Sequence, residues 1–291
     1  MFYRIKVFLI ELKKAKNSIL FSLRKQKFDD LYYLTKLAKC CHILDKGCHT
    51  VPFEKNHSRS IYNEAKKYLA EIKRDEIIED PCYIWCLSRI KLYEELQSND
   101  NINSPCYKDV EDYNDLDTQK YNKFIASAVS VRRFNDEVIN NSIIEKCIRT
   151  AQTAPSSCFR QTTRCYAIKS KEKIQQLSKN IAGLTGFSNG VPLLFCITSD
   201  IRSYDCVDRD LSYIDASLFA QNLILSLRAN NIYSVFLNFQ QASQYDIGCV
   251  KEELMLPDYE KIIIFIASGY SNYISEKPIR LDFDKVGKIY E

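Results

Sequence analysis

Glycine is scarce in this 291-residue chain: there are 7, about a third of the usual share of roughly 7%. They are Gly47, Gly183, Gly186, Gly190, Gly248, Gly269 and Gly287. No three of them fit G-x-G-x-x-G, and none precedes a Lys-Ser/Thr pair at phosphate-loop spacing, which excludes a Rossmann dinucleotide turn and a Walker-A NTPase. A G-x-S-x-G elbow is also missing, which argues against an ordinary α/β-hydrolase. No charge of one sign dominates: 41 Lys+Arg against 37 Asp+Glu leave +4, too balanced for a nucleic-acid coat. Long apolar runs are absent near the start, where Val7–Ile10 is followed at once by Glu11. A secretory signal needs roughly 7–15 apolar residues and a membrane span about 20, so neither is predicted. Histidine is limited to His42, His49 and His57.

What is present suits a folded protein. Hydrophobic residues make up 46% and charged residues 27%, enough to bury a core. At roughly 150 residues per domain the length predicts about two domains. The 12 scattered Cys read as reduced thiols, mostly small buried hydrophobes, and predict a cytoplasmic protein. Cys40, Cys41, His42, Cys48 and His49 cluster, but without C-x₂₋₄-C spacing or a second pair, so no metal site is assigned. Cys82 and Cys86 share a helix face and read as core.

Charge is uneven along the first part. Residues 1–60 carry 13 basic and 5 acidic side chains, net +8, and residues 61–120 carry 8 and 14, net −6. Lys13, Lys14, Lys16, Arg24, Lys25 and Lys27 interleave with Phe8, Leu12, Ile19, Phe21 and Leu23 in a basic amphipathic helix pattern over residues 1–28. Such a helix rests either on an anionic membrane surface or on its own domain with a solvated basic face. The lack of Trp in the stretch and the acidic segment that follows favour the second.

Residues 1–97 read as a helical domain, with apolar residues at three- and four-residue spacing in Leu31–Ala38 and Ile61–Ile72. Ser58 or Ser60 is the candidate cap of the second helix, and Asp80-Pro81 opens a third that runs to Leu96. Residues 98–118, rich in Asn, Asp, Ser and Pro, read as a linker. In residues 119–291 helices (Ser142–Ala154, Lys171–Asn180, Asp210–Asn230) alternate with strands (Cys165–Ile168, Leu193–Thr198, Tyr233–Leu237, Ile262–Ala267). This predicts an α/β or α+β domain with a covered central sheet.

Three stretches of residues 121–291 resemble the FMN-dependent nitroreductase family. Ser130-Val131-Arg132-Arg133-Phe134 is similar to an R-x-S-x-R-x-F start. Ala154-Pro155-Ser156-Ser157-Cys158-Phe159-Arg160-Gln161 is similar to A-P-S-x-x-N-x-Q. Gly190-Val191-Pro192 and its strand, then Tyr213-Ile214-Asp215-Ala216 and the long helix, form the third. The strand ending Ala267–Tyr270 and the tail Lys277–Arg280 complete the pattern. Cys41–Gly47 is similar to an H-x-x-E-K-G segment of long nitroreductase-like proteins from bacterial polysaccharide gene clusters.

The resemblance implies an α+β three-layer fold with a mostly antiparallel sheet, preceded by an all-α region. It implies bound FMN, NAD(P)H as co-substrate, and ping-pong reduction of a small electron-poor acceptor. It also implies an intertwined homodimer with the flavin at the interface, with Phe219, Leu223 and Leu227 on the interface helix. Arg132 and Arg280, with Ser130 and Lys277, are the candidate phosphate holders, since Arg forks and hydroxyls can replace a glycine cradle. Pro155, Ser156, Ser157 and Gln161 are candidates for the flavin, with backbone N–H groups of Asp215 and Ala216 near its reactive nitrogen. No catalytic side chain is assigned, because the flavin carries the chemistry. Two positions depart from the family: its first Arg is Ala128, and its Asn is Phe159. The alternative reading follows from them, a nitroreductase-like binding or assembly module with weakened or lost flavin binding.

Overall fold

The computed structural model describes residues 5, 12, 28–50, 53–98, 115–205 and 207–290. The basic pattern over residues 1–28 and most of the 98–118 linker lie outside the described residues. The described chain forms two units. The first is Met1–Pro105 with Cys158–Arg160 and Arg202–Asp210, and the second is Cys106–Ser157, Gln161–Ile201 and Leu211–Glu291. A single cut in the linear sequence does not have those two excursions, whose side chains are used in the first unit's packing.

In the first unit, α1 (Asp30–Cys48) starts where Asp29 accepts the Tyr32 N–H at 2.8 Å. Its Leu34, Leu37, Ala38, Cys41, Leu44 and Cys48 recur at three- and four-residue spacing and are all buried. They pack on α2 (Arg59–Glu71), a single turn α3 (Asp75–Ile78) and α4 (Pro81–Ser98) through Ala65, Ile72, Cys86, Ile90, Tyr93 and Leu96. Ser58 sits at the start of α2 in left-handed backbone (φ 53°) and makes no capping bond, and Ser60 lies inside the helix, so neither serine caps it. Pro81 opens α4 as expected, since its missing N–H has no helical partner there. Cys40, Cys41, Cys48 and Cys86 are buried and Cys82 is half-buried, all as free thiols.

The second unit is built on four antiparallel strands in the order β1 (Thr163–Ile168), β2 (Leu193–Asp200), β4 (Glu260–Gly269), β3 (Tyr233–Leu237). All eight residues of β2 are buried, so both faces of the sheet centre are covered. Leu194 and Cys196 point to one layer with Ile174 and Leu177 of α7 (Lys171–Ser178) and Val250 of α9 (Gln244–Glu253). Leu193, Phe195 and Ile197 point to the other, with Ile144, Cys147 and Ala151 of α6 (Asn141–Ala151) and Phe219, Leu223 and Leu227 of α8 (Leu211–Ala229). The result is three layers, helix on sheet on helix. Two further short helices are α5 (Thr118–Ala126) and α10 (Phe283–Val286).

The placement of α8 corrects one expectation. Phe219, Leu223 and Leu227 face this unit's own sheet rather than a second subunit. The side of α8 left uncovered carries Ile214 and Leu218, 53% and 41% exposed.

Candidate functional site

The segment after α5 runs beside β3, where Ser130 bridges Ser234 in parallel and the Val131 N–H donates to the Ser234 carbonyl at 3.2 Å. The C-terminal tail lies along the same segment. Ser275 Oγ donates to the Ser130 carbonyl at 3.1 Å, Ser271 Oγ donates to the Arg133 carbonyl at 2.6 Å, and the Arg133 guanidinium stacks 4.1 Å from the Tyr273 ring centre. This brings Lys277 and Arg280 to Ser130.

A cavity of about 570 Å³ opens there, within the range of ligand pockets. Ser130, Lys277 and Arg280 line it together with Ala128, Ser234, Phe236 and Gln221. Lys277, Arg280 and Arg132 are exposed and make no ion pair among the described residues. Unpaired cations beside hydroxyls suit a phosphate, and here no glycine cradle is involved. Arg132 does not line the cavity. Ala128 does, so the first departure from the family removes a side chain from the cavity wall itself.

The second group forms a separate corner. Ser157 donates from its N–H (2.9 Å) and its hydroxyl (2.7 Å) to one oxygen of Asp215, which is 2% exposed. Ser156 Oγ accepts the Gln161 N–H at 3.1 Å, and the Gln161 carbonyl accepts from Arg164 at 2.8 Å. Pro155 and Gln161 are exposed. Cys158, Phe159 and Gln161 all have left-handed backbone, with φ of 51°, 55° and 51°. Each such residue costs about 1–2 kcal/mol when it is not glycine, so the surroundings must hold it there.

None of the corner residues lines the cavity. Sheet order explains the separation. Gln161 leads into β1 at one edge, level with Ser199 and Lys261, while Ser130 bridges β3 at the other edge, level with Ser268; the groups lie three strand spacings or roughly 14 Å apart across the sheet and seven residues or about 23 Å apart along it.

Two expectations change here. Asp215 and Ala216 are the fifth and sixth residues of α8, so their N–H groups are already used inside the helix and are not a free helix N-terminus. Asp215 acts through its carboxylate on Ser157, and the Ala216 side chain is fully buried. Phe159, which in place of the family's Asn would be expected to add bulk at the flavin, instead places its ring 4.8 Å from Trp85 and 6.5 Å from His42 in the first unit.

Sequence reasoning missed Gln221 and Ser234 on the cavity wall. Gln221 is one of several polar residues in α8, and neither it nor Ser234 in β3 gave a sequence signal. Gly269 owes its identity to packing. A Cβ there would come within 2.6 Å of Pro192 Cγ and 2.9 Å of Phe134 Cβ, so residues from three resembling motifs meet at one crossing.

Comparison with known proteins agrees with this architecture. Residues 125–186 match the model described as Nitroreductase family. An NADPH-dependent oxidoreductase of Staphylococcus aureus is 27% identical over 177 residues, covering 54% of this chain and 68% of that protein. A nitroreductase-like protein from Streptococcus mutans superposes with a TM-score of 0.54 at 23% identity, over 60% of this chain and 100% of that one. An FMN-dependent nitroreductase from Clostridium difficile gives 0.51 at 23% identity, over 58% and 98%. The second unit has the fold of these nitroreductase structures; the family model covers residues 125–186, and the other matches span little more than half of the chain.

Proposed function

We propose that the chain is an FMN-dependent NAD(P)H oxidoreductase that reduces a small electron-poor acceptor, such as a quinone, nitro compound or activated double bond. The observation that carries this reading is the cavity where Lys277 and Arg280, without ion-pair partners among the described residues, meet Ser130. The relative's printed name, NADPH-dependent oxidoreductase, and the FMN-dependent structural neighbour support it.

Arg280, Lys277 and Ser130 would hold the phosphate, with Arg132 as a further cation outside the cavity. Ser156, Ser157 and Gln161 would face the ring, Gln161 through an amide that both donates and accepts. Bound FMN would supply hydride acceptance and donation, so nicotinamide and acceptor need only take turns at one place, a ping-pong order. Asp215 holds Ser157 in position from within the core.

The reading includes a homodimer in the cytoplasm. One subunit offers the cavity and the corner at opposite sheet edges. Exposed apolar side chains occur on α8 (Ile214, Leu218) and in the tail (Ile274, Ile279, Leu281, Phe283). No helix among the described residues is long and apolar enough to cross a membrane. A place beside polysaccharide enzymes rests on Cys41–Gly47 alone, and its Cys41 and Leu44 are fully buried in the first unit's core.

The test is the colour of the purified protein. A yellow protein that releases FMN on denaturation and bleaches with NADH or NADPH supports the reading. A colourless protein that stays apo in excess FMN overturns it and leaves the flavin-free binding module.

A further inference from the structure

We propose that Arg133, Ser271 and Tyr273 are positioning residues. They clasp the C-terminal tail to the segment after α5 in one register, and that register sets Lys277 and Arg280 on the cavity wall. That these cations hold a phosphate rests on the flavin reading above; the clasp lies wholly within the second unit and does not depend on it.

Three observations carry it. First, the two stretches run antiparallel and keep step. The Asn135 N–H donates to the Tyr270 carbonyl at 2.9 Å, Ser271 Oγ donates to the Arg133 carbonyl at 2.6 Å, and Ser275 Oγ donates to the Ser130 carbonyl at 3.1 Å. From the first bond to the last, five residues back along one stretch match five forward along the other. Continued in the same step, Lys277 comes level with Ala128 and Arg280 with Ile125. All four line the cavity, so the register reaches the cations.

Second, one stretch is fixed and the other has no core anchor of its own. Val131 is 2% exposed and its N–H donates to Ser234 of β3, which holds the segment after α5 to the sheet. In the tail every residue from Asn272 to Val286 is exposed, so no buried side chain holds Lys277 or Arg280 in place.

Third, the clasp is made largely of side chains, and Arg133 takes part at both ends. Its carbonyl accepts from Ser271, and its guanidinium lies 4.1 Å from the Tyr273 ring centre. A hydroxyl has one hydrogen to give. That of Ser271 has two carbonyls within reach, Arg133 at 2.6 Å and Tyr273 at 2.7 Å. Given to Arg133, the hydrogen joins the stretches; given to Tyr273, it serves only the tail's own turn. The ring stacked on Arg133 keeps the stretches close enough for the first. A cation on an exposed ring is a modest attraction, so a single substitution can undo it. None of Arg133, Ser271 and Tyr273 lines the cavity, and they act on its ligand only through the tail.

The test uses the full chain with Tyr273→Leu, Ser271→Ala and, as the conservative variant, Tyr273→Phe. Hydrogen exchange reads the clasp without any ligand. In Tyr273→Leu and Ser271→Ala the Asn135 amide should exchange about threefold faster or more, with β2 and β4 unchanged, while Tyr273→Phe keeps the ring and should match the wild type. FMN affinity should fall about three- to tenfold in Tyr273→Leu and riboflavin affinity should stay, because Tyr273 acts through the cations that meet the phosphate. Tyr273→Leu combined with Arg280→Ala should cost less than the product of the two separate losses, since part of what Tyr273 positions is already gone. Wild-type exchange at Asn135 in both Tyr273→Leu and Ser271→Ala overturns the proposal. So do equal losses for both flavins, separate losses that multiply in full, or acceleration spread over β2 and β4. If the wild type binds neither flavin while the Asn135 amide responds as expected, the clasp stands and the flavin function fails.

Discussion

Arg280→Ala tests the phosphate placement quantitatively. Arg280 is exposed on the cavity wall and makes no hydrogen bond or ion pair among the described residues, so its loss should leave the fold intact to within about 0.5 kcal/mol. A charge-assisted hydrogen bond to a phosphate contributes about 1.5–3 kcal/mol. The lower part of that range applies, because the guanidinium is solvated and salt at physiological strength screens charges over about 8 Å. About 1.5–2 kcal/mol corresponds to a Kd for FMN raised roughly 10- to 30-fold. The assay is a flavin-fluorescence titration with FMN and with riboflavin, which lacks the phosphate. The variant should lose FMN affinity and keep riboflavin affinity, and the loss should shrink as salt is raised. Equal losses for both ligands would place Arg280 at the ring instead. No loss for either would remove the phosphate from this cavity.

Four further outcomes follow from other parts of the molecule. Ala128→Arg restores a cation to the cavity wall and should tighten FMN binding by up to about tenfold, since ordering a long side chain offsets part of the new bond; weaker FMN binding would mean the wall is occupied by the ligand itself. Gly269→Ala drives a Cβ within 2.6 Å of Pro192 and should cost about 1–3 kcal/mol in thermal or urea unfolding, and an unchanged midpoint would contradict the tight crossing. Among the described cysteines, iodoacetamide at neutral pH should label the exposed Cys158 first. Burial pushes the thiols of Cys40 and Cys165 up to about 12 and that of Cys48 to about 11, so comparable labelling of these three, read by peptide mass spectrometry, would refute their burial. The Lys73 and Arg74 N–H groups donate to Asp30 (2.6 and 2.8 Å) and hold its carboxyl below its ordinary 3.8; the stability this adds is present above that pH and is lost as pH falls through the lower folded value. The gap in Tm between wild type and Asp30→Asn should therefore be constant from pH 5 to 7 and close only below about 3.8, whereas a gap independent of pH would mean the charge is not used.

The layered core was legible because its signals are local. Leu193–Ile197 and Ile262–Ala267 are short unbroken apolar runs rich in β-branched and aromatic residues, which suit a strand covered on both faces; the structure extends them to Asp200 and to Glu260–Gly269. Helix positions followed from spacing, while one detail of capping did not, because the left-handed turn at Ser58 is set by the loop before it. The direction in which α8 faces was misread for a related reason. A helix apolar on most sides does not announce which stripe meets its own sheet, and here Phe219, Leu223 and Leu227 do, leaving Ile214 and Leu218 outside.

The candidate site could be read from sequence as an expected set of residues but not as a place. Motifs in the right order said that Ser130, Arg280, Ser157 and Gln161 belong to one function. Strand order then carried two of them to the β3 edge and two to the β1 edge. That step depends on long-range pairing, and no window of sequence contains it. Phe159 shows the same limit from the other side. In sequence it is a missing amide, a loss charged to flavin binding, because its partner Trp85 lies 74 positions earlier with no motif to link them. Once that contact is known, the Phe159 ring is accounted for by packing within the first unit. Of the two departures that weakened the flavin reading, only Ala128 lies on the wall of the cavity where the phosphate would sit. A single absent cation, beside Ser130, Lys277 and Arg280, is a smaller obstacle to FMN than two losses at one site.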